Sequence, residues 1–323
     1  MHGGHGAPVD RAARTYVAGH RGLVGSALWR HFAAAGFTDL VGRRSDQLDL
    51  RDRAATFAFF QQERPRTVVL AAARVGGILA NATEPVDFLS DNLRIQVNVL
   101  DAALAYGVDR LLFLGSSCIY PKLAPQPISE DSLLTGPLEP TNDAYAIAKI
   151  AGVLHVQAAR RQHGVHWVSA MPTNLYGPGD SFDPERSHVL PGLLRRFAVA
   201  ADADEPEVVV WGTGTPRREF LHVDDLARAA LLVLDDYDDP APINIGTGQD
   251  VTIRELATTI ASVVGYRGRI TFDPTRPDGT PRKLLDVSRL GALGFRPAIS
   301  LEDGIRATYD WWRASAAPAA ALR

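Results

Sequence analysis

Short apolar runs alternate with stretches of helical periodicity through the first half of the chain. Residues 15–19 (TYVAG) have the pattern of a buried strand, and in 22–35 Leu23, Leu28, Phe32 and Ala33 fall near one helical face. The same alternation predicts strands at 40–41, 67–73 (TVVLAAA), 110–117 (RLLFLGSS) and 167–172, and helices at 51–62, 84–106 and 144–163. Such a sequence folds as a parallel sheet covered on both faces. Right-handed crossovers then leave the doubly wound arrangement as the natural topology. The expected fold class is α/β: a Rossmann-type doubly wound parallel sheet with a smaller α/β C-terminal substrate lobe.

After about residue 174 the pattern loosens. Proline and glycine punctuate 176–184 (YGPGDSFDP), a loop expected over a cleft. Smaller elements follow: helices at 188–201, 223–234, 252–264 and 301–315, and strands at 208–211, 243–245 and 270–272. The strand near Ile243 is expected to rejoin the main sheet. The division expected is therefore 12–174 plus about 212–249 for the dinucleotide-binding domain, 175–211 and 250–297 for the lobe, and loose tails at 1–11 and 316–323. His2 and His5 lie among glycines in the first tail, a metal tract or simply a loose terminus. The Ala-rich end from Ala314 reads as frayed.

Composition narrows the class. With 323 residues, 46% hydrophobic and 22% charged, the chain can bury a sizeable core. A net charge of -3 gives no sign of a protein that coats nucleic acid or anionic lipid. A single cysteine rules out an internal disulfide and fits a reducing, cytoplasmic setting. No apolar run reaches the ~18 residues needed to span a bilayer, and the start lacks the apolar core of a secretory signal. No Cys/His grouping has metal-ligand spacing, so no metal is expected.

Gly19, Gly22 and Gly25 bracket the junction of the first strand and first helix. Glycines there allow a tight turn, close approach of backbone N–H groups to a pyrophosphate, and close helix–sheet packing, while the helix N-terminus attracts the anion. Further on, the segment 48–52 (LDLRD) resembles the adenine-contacting part of the short-chain dehydrogenase/reductase superfamily, which implies that Asp49 accepts from the adenine amino group with Leu50 against the ring; alternatively Asp49 or Asp52 caps the next helix. The second strand ends at Val41-Gly42-Arg43-Arg44-Ser45 without an acid, and Arg21 adds a cation in the turn. That favours NADP(H), whose 2′-phosphate suits guanidinium groups, unless Arg43 and Arg44 are solvated surface charges.

Tyr145 and Lys149 lie four residues apart on one helical face, a spacing that lets an ammonium favour phenolate. Ser116 falls at the end of the fourth strand, where open α/β sheets bind ligands. The GxxGxxG spacing and this Ser–Tyr–Lys set resemble the short-chain dehydrogenase/reductase superfamily. Longer segments resemble its GDP-L-fucose synthase family: 114–121 (LGSSCIYP), 138–145 (LEPTNDAY), 171–178 (MPTNLYGP), 187–191 (SHVLP), 211–216 (WGTGTP), 218–225 (REFLHVDD) and 277–283 (PDGTPRK).

That resemblance implies epimerisation of a GDP-linked 4-keto-6-deoxy sugar at C3 and C5, then NADPH-dependent reduction at C4. It makes Cys118 and His188 the proton-transfer pair. Ser116 and Tyr145 would stabilise the O4 oxyanion, with Tyr145 protonating O4 and Lys149 also binding the nicotinamide ribose. Further cofactor contacts are implied for Leu23, Val24, Ala72, Pro172, Asn174, Leu175 and His188. Substrate contacts are implied for Asn174, Arg196, Trp211, Arg218 and Asp278. Trp211 could equally be a core residue, and Asp278 an ordinary turn residue. A homodimer pairing helices 84–106 and 144–163 is implied as well. Two departures stand out: Ser45 replaces an arginine of relatives, and Gly179-Asp180-Ser181 differs modestly from them. The rival readings are an epimerase-reductase of another GDP-hexose or GDP-heptose, a nucleotide-sugar dehydratase or 4-epimerase, and a non-catalytic dinucleotide sensor.

Overall fold

The computed structural model describes residues 8–320 apart from 185, 186 and 277. In chain order its first half comprises β1 (Thr15–Ala18), α1 (Leu23–Ala34), β2 (Leu40–Val41), α2 (Arg53–Glu63), β3 (Thr67–Leu70), α3 (Ile78–Thr83), α4 (Pro85–Ala105), β4 (Arg110–Leu114), α5 (Asp143–His163) and β5 (His166–Pro172). There follow β6 (Asn174–Tyr176), α6 (Val189–Asp202), β7 (Glu207–Trp211), β8 (Arg217–Arg218), β9 (Phe220–His222), α7 (Val223–Asp236), β10 (Ile243–Ile245), β11 (Val251–Thr252), α8 (Ile253–Val264), β12 (Arg269–Asp273), β13 (Arg282–Lys283), α9 (Ser288–Ala292) and α10 (Leu301–Ala320).

Six strands form a parallel sheet in the order β10-β5-β4-β3-β1-β2, so the strand near Ile243 does rejoin it. Side chains alternate across this sheet because the strand period is two. Tyr16, Val68, Leu111 and Phe113 enter one core with Phe60 of α2, Val99 of α4 and Val153 of α5. Val17, Val69, Leu112 and Leu114 enter the other with Leu28 and Phe32 of α1 and Leu226 and Leu234 of α7. Burial on both faces explains why the strands read as continuous apolar runs. Each such side chain contributes about 1.5–3 kcal/mol.

A third core lies in the smaller lobe, where Leu194 and Phe197 of α6, Val208 of β7, and Leu256 and Ile260 of α8 meet Ile305 of α10. The lobe thus draws on α10, past its expected end at 297. Leu290 and Phe295 pack instead with the α1/α7 face of the sheet. The joint between lobes is tied by Glu219, fully buried, whose carboxylate accepts from the backbone N–H of Thr247 (2.6 Å), Gly248 (2.7 Å) and Leu285 (3.0 Å).

The tails are shorter than expected. Val9 is buried and its N–H donates to Asp235 at 3.0 Å, while Arg11 pairs with the same carboxylate. His2 and His5 lie outside the described residues. Helix α10 continues through Ala320, so the Ala-rich stretch is helical where a frayed end was expected. Strand β4 stops at Leu114, short of Ser117, because the Ser116 hydroxyl accepts from the N–H of Cys118 and starts a 3₁₀ turn at Ser117–Ile119. Among the described residues no helix is long and apolar enough to cross a membrane.

Candidate active site

The strand order reverses between β1 and β3, the place where open α/β sheets leave a crevice. Gly19, just after β1, has φ +82, and a Cβ there would stand 2.9 Å from the backbone of Ala72 after β3. Gly22 caps α1, its N–H donating to the Gly19 carbonyl at 3.0 Å. A Cβ on Gly25 would fall 2.0 Å from that same oxygen. The turn therefore closes only with glycine at Gly19 and Gly25, and α1, beginning with Leu23 and Val24, aims its N-terminus into the crevice.

A cavity of about 480 Å³ opens here, lined by Gly19, Arg21, Gly22, Arg43, Arg44 and their neighbours. The cations differ in availability. Arg43 lines the cavity while pairing with Glu63 at 2.6 Å and lying over the Phe59 ring, which ties β2 to α2. Among the described residues the Arg44 guanidinium holds only the exposed Asp46, at 2.6 Å, and Arg21 is exposed. Surface pairs of this kind are worth little and exchange readily.

The adenine-side expectation also changes. Asp52 caps α2 by accepting from the Ala55 N–H at 3.0 Å. Asp49 remains exposed and grips Arg51 through both carboxylate oxygens. Leu50 is 8% exposed and packs into the core, leaving almost none of its surface for an adenine ring.

On the other side of the crevice, α5 and the end of β4 converge. The Ser116 hydroxyl accepts from the Cys118 N–H at 3.2 Å and favours the charged forms of both the Tyr145 phenol and the Cys118 thiol. Lys149 is buried, donates to the Leu114 carbonyl at 2.8 Å and lies 5.9 Å from the Tyr145 ring centroid. Burial lowers the pKa of Lys149 to about 8. The phenol, by contrast, is pushed well above its usual value, first by burial and then by the charge of Cys118. The expected lowering of Tyr145 by Lys149 is therefore corrected: burial and the charge of Cys118 set the direction, and Tyr145 stays protonated through neutral pH.

Cys118 moves the other way. Burial alone would raise it, but the charge of Lys283 and hydrogen bonds from Ser116, Lys283 and Asn142 outweigh burial and leave the thiol below its usual value. The Lys283 Nζ and the Asn142 Nδ2 each lie 3.4 Å from its Sγ. Neither residue stands out by its own chemistry along the chain, although each sits inside a segment that carries the family resemblance, 277–283 and 138–145.

His188 is the residue before α6, in the smaller lobe. The residue is exposed as a whole, yet desolvation by the protein around it lowers the pKa of its ring. In the loop before it, Asp180 accepts from the Ser181 N–H at 2.8 Å with its second oxygen buried and unpartnered, and burial raises its pKa to about 7.

The implied substrate residues have assorted partners. Trp211 is 61% exposed, with Arg276 5.1 Å and Arg196 5.9 Å from its ring, so it is a surface platform and no core residue. Arg196 also donates to the Val209 carbonyl at 2.8 Å, and Arg218 to the Arg217 carbonyl at 2.8 Å. Asp278 accepts from the N–H and hydroxyl of Thr213, at 2.7 and 2.8 Å, and thereby locks a turn. Asn174 donates to the Glu219 carbonyl at 2.8 Å, with Pro172 ending β5 and Leu175 half-buried beside it.

Residues 15–246 match the model of the NAD dependent epimerase/dehydratase family. The chain is 59% identical to GDP-L-fucose synthase 1 of Arabidopsis thaliana over 94% of each chain. It is 55% identical to the GDP-L-fucose synthase of Escherichia coli (strain K12) over 93% of this chain and 96% of that one. A solved structure of a GDP-L-fucose synthetase from Naegleria fowleri bound to NADP superposes with a TM-score of 0.89 at 30% identity, covering 96% of each chain. The turn, the Ser–Tyr–Lys corner and this near-full-length likeness agree: the chain belongs to the NAD dependent epimerase/dehydratase family, among its GDP-L-fucose synthases.

Proposed function

We propose that this chain epimerises GDP-4-keto-6-deoxy-D-mannose at C3 and C5 and then reduces C4 with NADPH, giving GDP-L-fucose. The observation that carries the reading is the corner where the Ser116 hydroxyl takes the Cys118 N–H and the Lys283 and Asn142 nitrogens lie 3.4 Å from the Cys118 sulfur, with the thiol shifted down and the Tyr145 phenol up in pKa. Two titratable groups separated in this way take the base and acid roles.

A ketone at C4 acidifies the hydrogens on C3 and C5. Cys118, carrying thiolate character, removes such a proton. Ser116 and Tyr145 donate hydrogen bonds to the oxyanion that develops on O4. His188 returns a proton from the opposite ring face; its donor form is the scarcer one at pH 7, because desolvation depresses its pKa. Epimerisation therefore falls off on the acid side as Cys118 protonates and on the alkaline side as His188 loses its proton.

The turn fits a dinucleotide: glycines at Gly19 and Gly25 let the chain close tightly against Ala72 and the Gly19 carbonyl at the head of α1, and Arg21 and Arg44 line the cavity there as candidates for a 2′-phosphate. Leu23, Val24, Ala72, Pro172, Asn174 and Leu175 line the same crevice in this reading. When bound, NADPH supplies the hydride to C4. Tyr145, protonated throughout, then gives its proton to O4, and Lys149 holds the ribose.

The reading calls for a reducing compartment, the cytoplasm, since one thiol must stay unoxidised. It includes a homodimer across α4 and α5, where Val86, Val97, Ile147 and Leu154 leave apolar surface exposed; a monomeric sedimentation profile would refute that part. The central test is Cys118→Ser with keto-sugar and NADPH. Reduction should persist while solvent deuterium uptake at C3 and C5 falls by about a hundredfold or more. Fully inverted product at the native rate would remove Cys118 from the reaction.

A further inference from the structure

The charge that holds Cys118 below its usual pKa does not come from the domain that carries the thiol. Ser116, Cys118, Asn142 and Tyr145 all belong to the sheet domain, at the end of β4 and the start of α5. Lys283 comes from β13, 165 residues further along the chain. That strand is held in place by β8, with which it pairs in parallel, Arg282 opposite Arg217 and Lys283 opposite Arg218. Asp250 reinforces the pairing by taking Arg217 at 2.8 Å and Arg282 at 2.5 Å in one largely buried carboxylate.

We propose that Lys283 is a positioning residue for epimerisation: its ammonium, brought onto the Cys118 sulfur by the β8–β13 pair, keeps the sulfur as the proton-accepting thiolate. This rests on the role given above to Cys118. The groups around the sulfur are few. From its own turn Ser116 offers a hydroxyl, from the residue before α5 Asn142 offers an amide donor, and α5 presents the neutral phenol of Tyr145. Lys283 is the cation in contact with it among the described residues. The nearby Lys122 is occupied by Glu139 at 3.0 Å, and Glu139 also accepts from Thr280 at 3.1 Å, beside β13. Amide and hydroxyl donors stabilise an anion locally, but a full positive charge at 3.4 Å gives the larger lowering.

Such an arrangement makes thiolate formation depend on docking of the lobe. A thiol tuned only from its own domain would be equally reactive whatever the lobe did.

The chain has one cysteine, so its ionisation can be titrated without interference. The experiment is the pH dependence of iodoacetamide alkylation in the intact protein, for wild type, Lys283→Met, Lys283→Gln and Lys283→Arg. Loss of the ammonium should move the alkylation midpoint up by about one unit and slow the pH 7 rate about tenfold, with Lys283→Arg recovering most of it. An unchanged midpoint in a Met or Gln variant that melts like wild type would overturn the proposal, as would equal midpoints in the Arg and Met variants. Deuterium uptake by the keto-sugar is measured alongside and should fall with the thiolate fraction, while reduction of a pre-epimerised substrate holds. A shifted midpoint with native deuterium uptake supports the Lys283–Cys118 pairing and overturns the catalytic role of Cys118 instead.

Discussion

The phosphate turn and the thiol corner face the same crevice but are built in opposite ways. Gly19, Gly22 and Gly25 lie within one segment, and their geometry is set by backbone contacts among themselves and with Ala72. The thiol corner gathers Cys118, Asn142 and Lys283 from three distant segments, and its chemistry rests on side-chain charge. A backbone site tolerates almost no change in shape and nearly any change in surrounding charge. A side-chain site is the reverse, since a single substitution resets its protonation without disturbing the chain path.

Three changes probe this contrast. The largest effect is expected from Gly25→Val, which places atoms inside contact distance of the Gly19 carbonyl. Overpacking there should cost about 3 kcal/mol of stability and weaken NADPH binding about a hundredfold, read by thermal melting and fluorescence titration. Native affinity in that variant would show that the turn is not closed as described.

Next comes Lys149→Met, where charge is removed and shape nearly kept. The folded chain releases the Lys149 proton near pH 8, whereas the unfolded chain keeps it to about 10.4. At pH 7 folding must bury that charge, so stability rises as pH climbs through this interval. The variant should be more stable than wild type at pH 7 by about 3 kcal/mol, with the advantage shrinking towards pH 10, and should lose reductase activity. Urea unfolding at both pH values checks this; a constant difference would refute it.

The smallest effect is expected from Arg44→Ala. Its guanidinium is exposed and, among the described residues, pairs only with Asp46, so its loss should leave stability unchanged. The preference for NADPH over NADH should fall about tenfold, one charge-assisted contact of about 1.4 kcal/mol. If the ratio of kcat/KM values does not move, Arg21 alone reads the 2′ position.

The same contrast decides how much is legible in the sequence. The strands and helices of the sheet domain follow from local periodicity, and the glycine turn needs only its neighbours along the chain. Tyr145 and Lys149 share a helix, so their common face is plain from their spacing. The sign of the phenol shift is not, because it depends on burial by groups remote in sequence. Arg43 reads as a free cation because its partner Glu63 arrives on the next helix. Leu50 reads as a ligand contact because nothing local shows that it turns into the core. Lys283 is inconspicuous in a basic segment, since only the β8–β13 pairing carries it to the sulfur.

Glu219 has a mechanical consequence. Hinging the smaller lobe away from the sheet would break up hydrogen bonds that three amide N–H groups make to one buried carboxylate. Hydrogen bonds to a charged acceptor are worth about 1.5–3 kcal/mol each. A sugar nucleotide must still get in and out on every turnover. The loop after β6 carries Gly177 and Gly179 at positive φ, a backbone conformation that glycine adopts without strain. Glu219 thus sets a cost on any movement of the smaller lobe against the sheet.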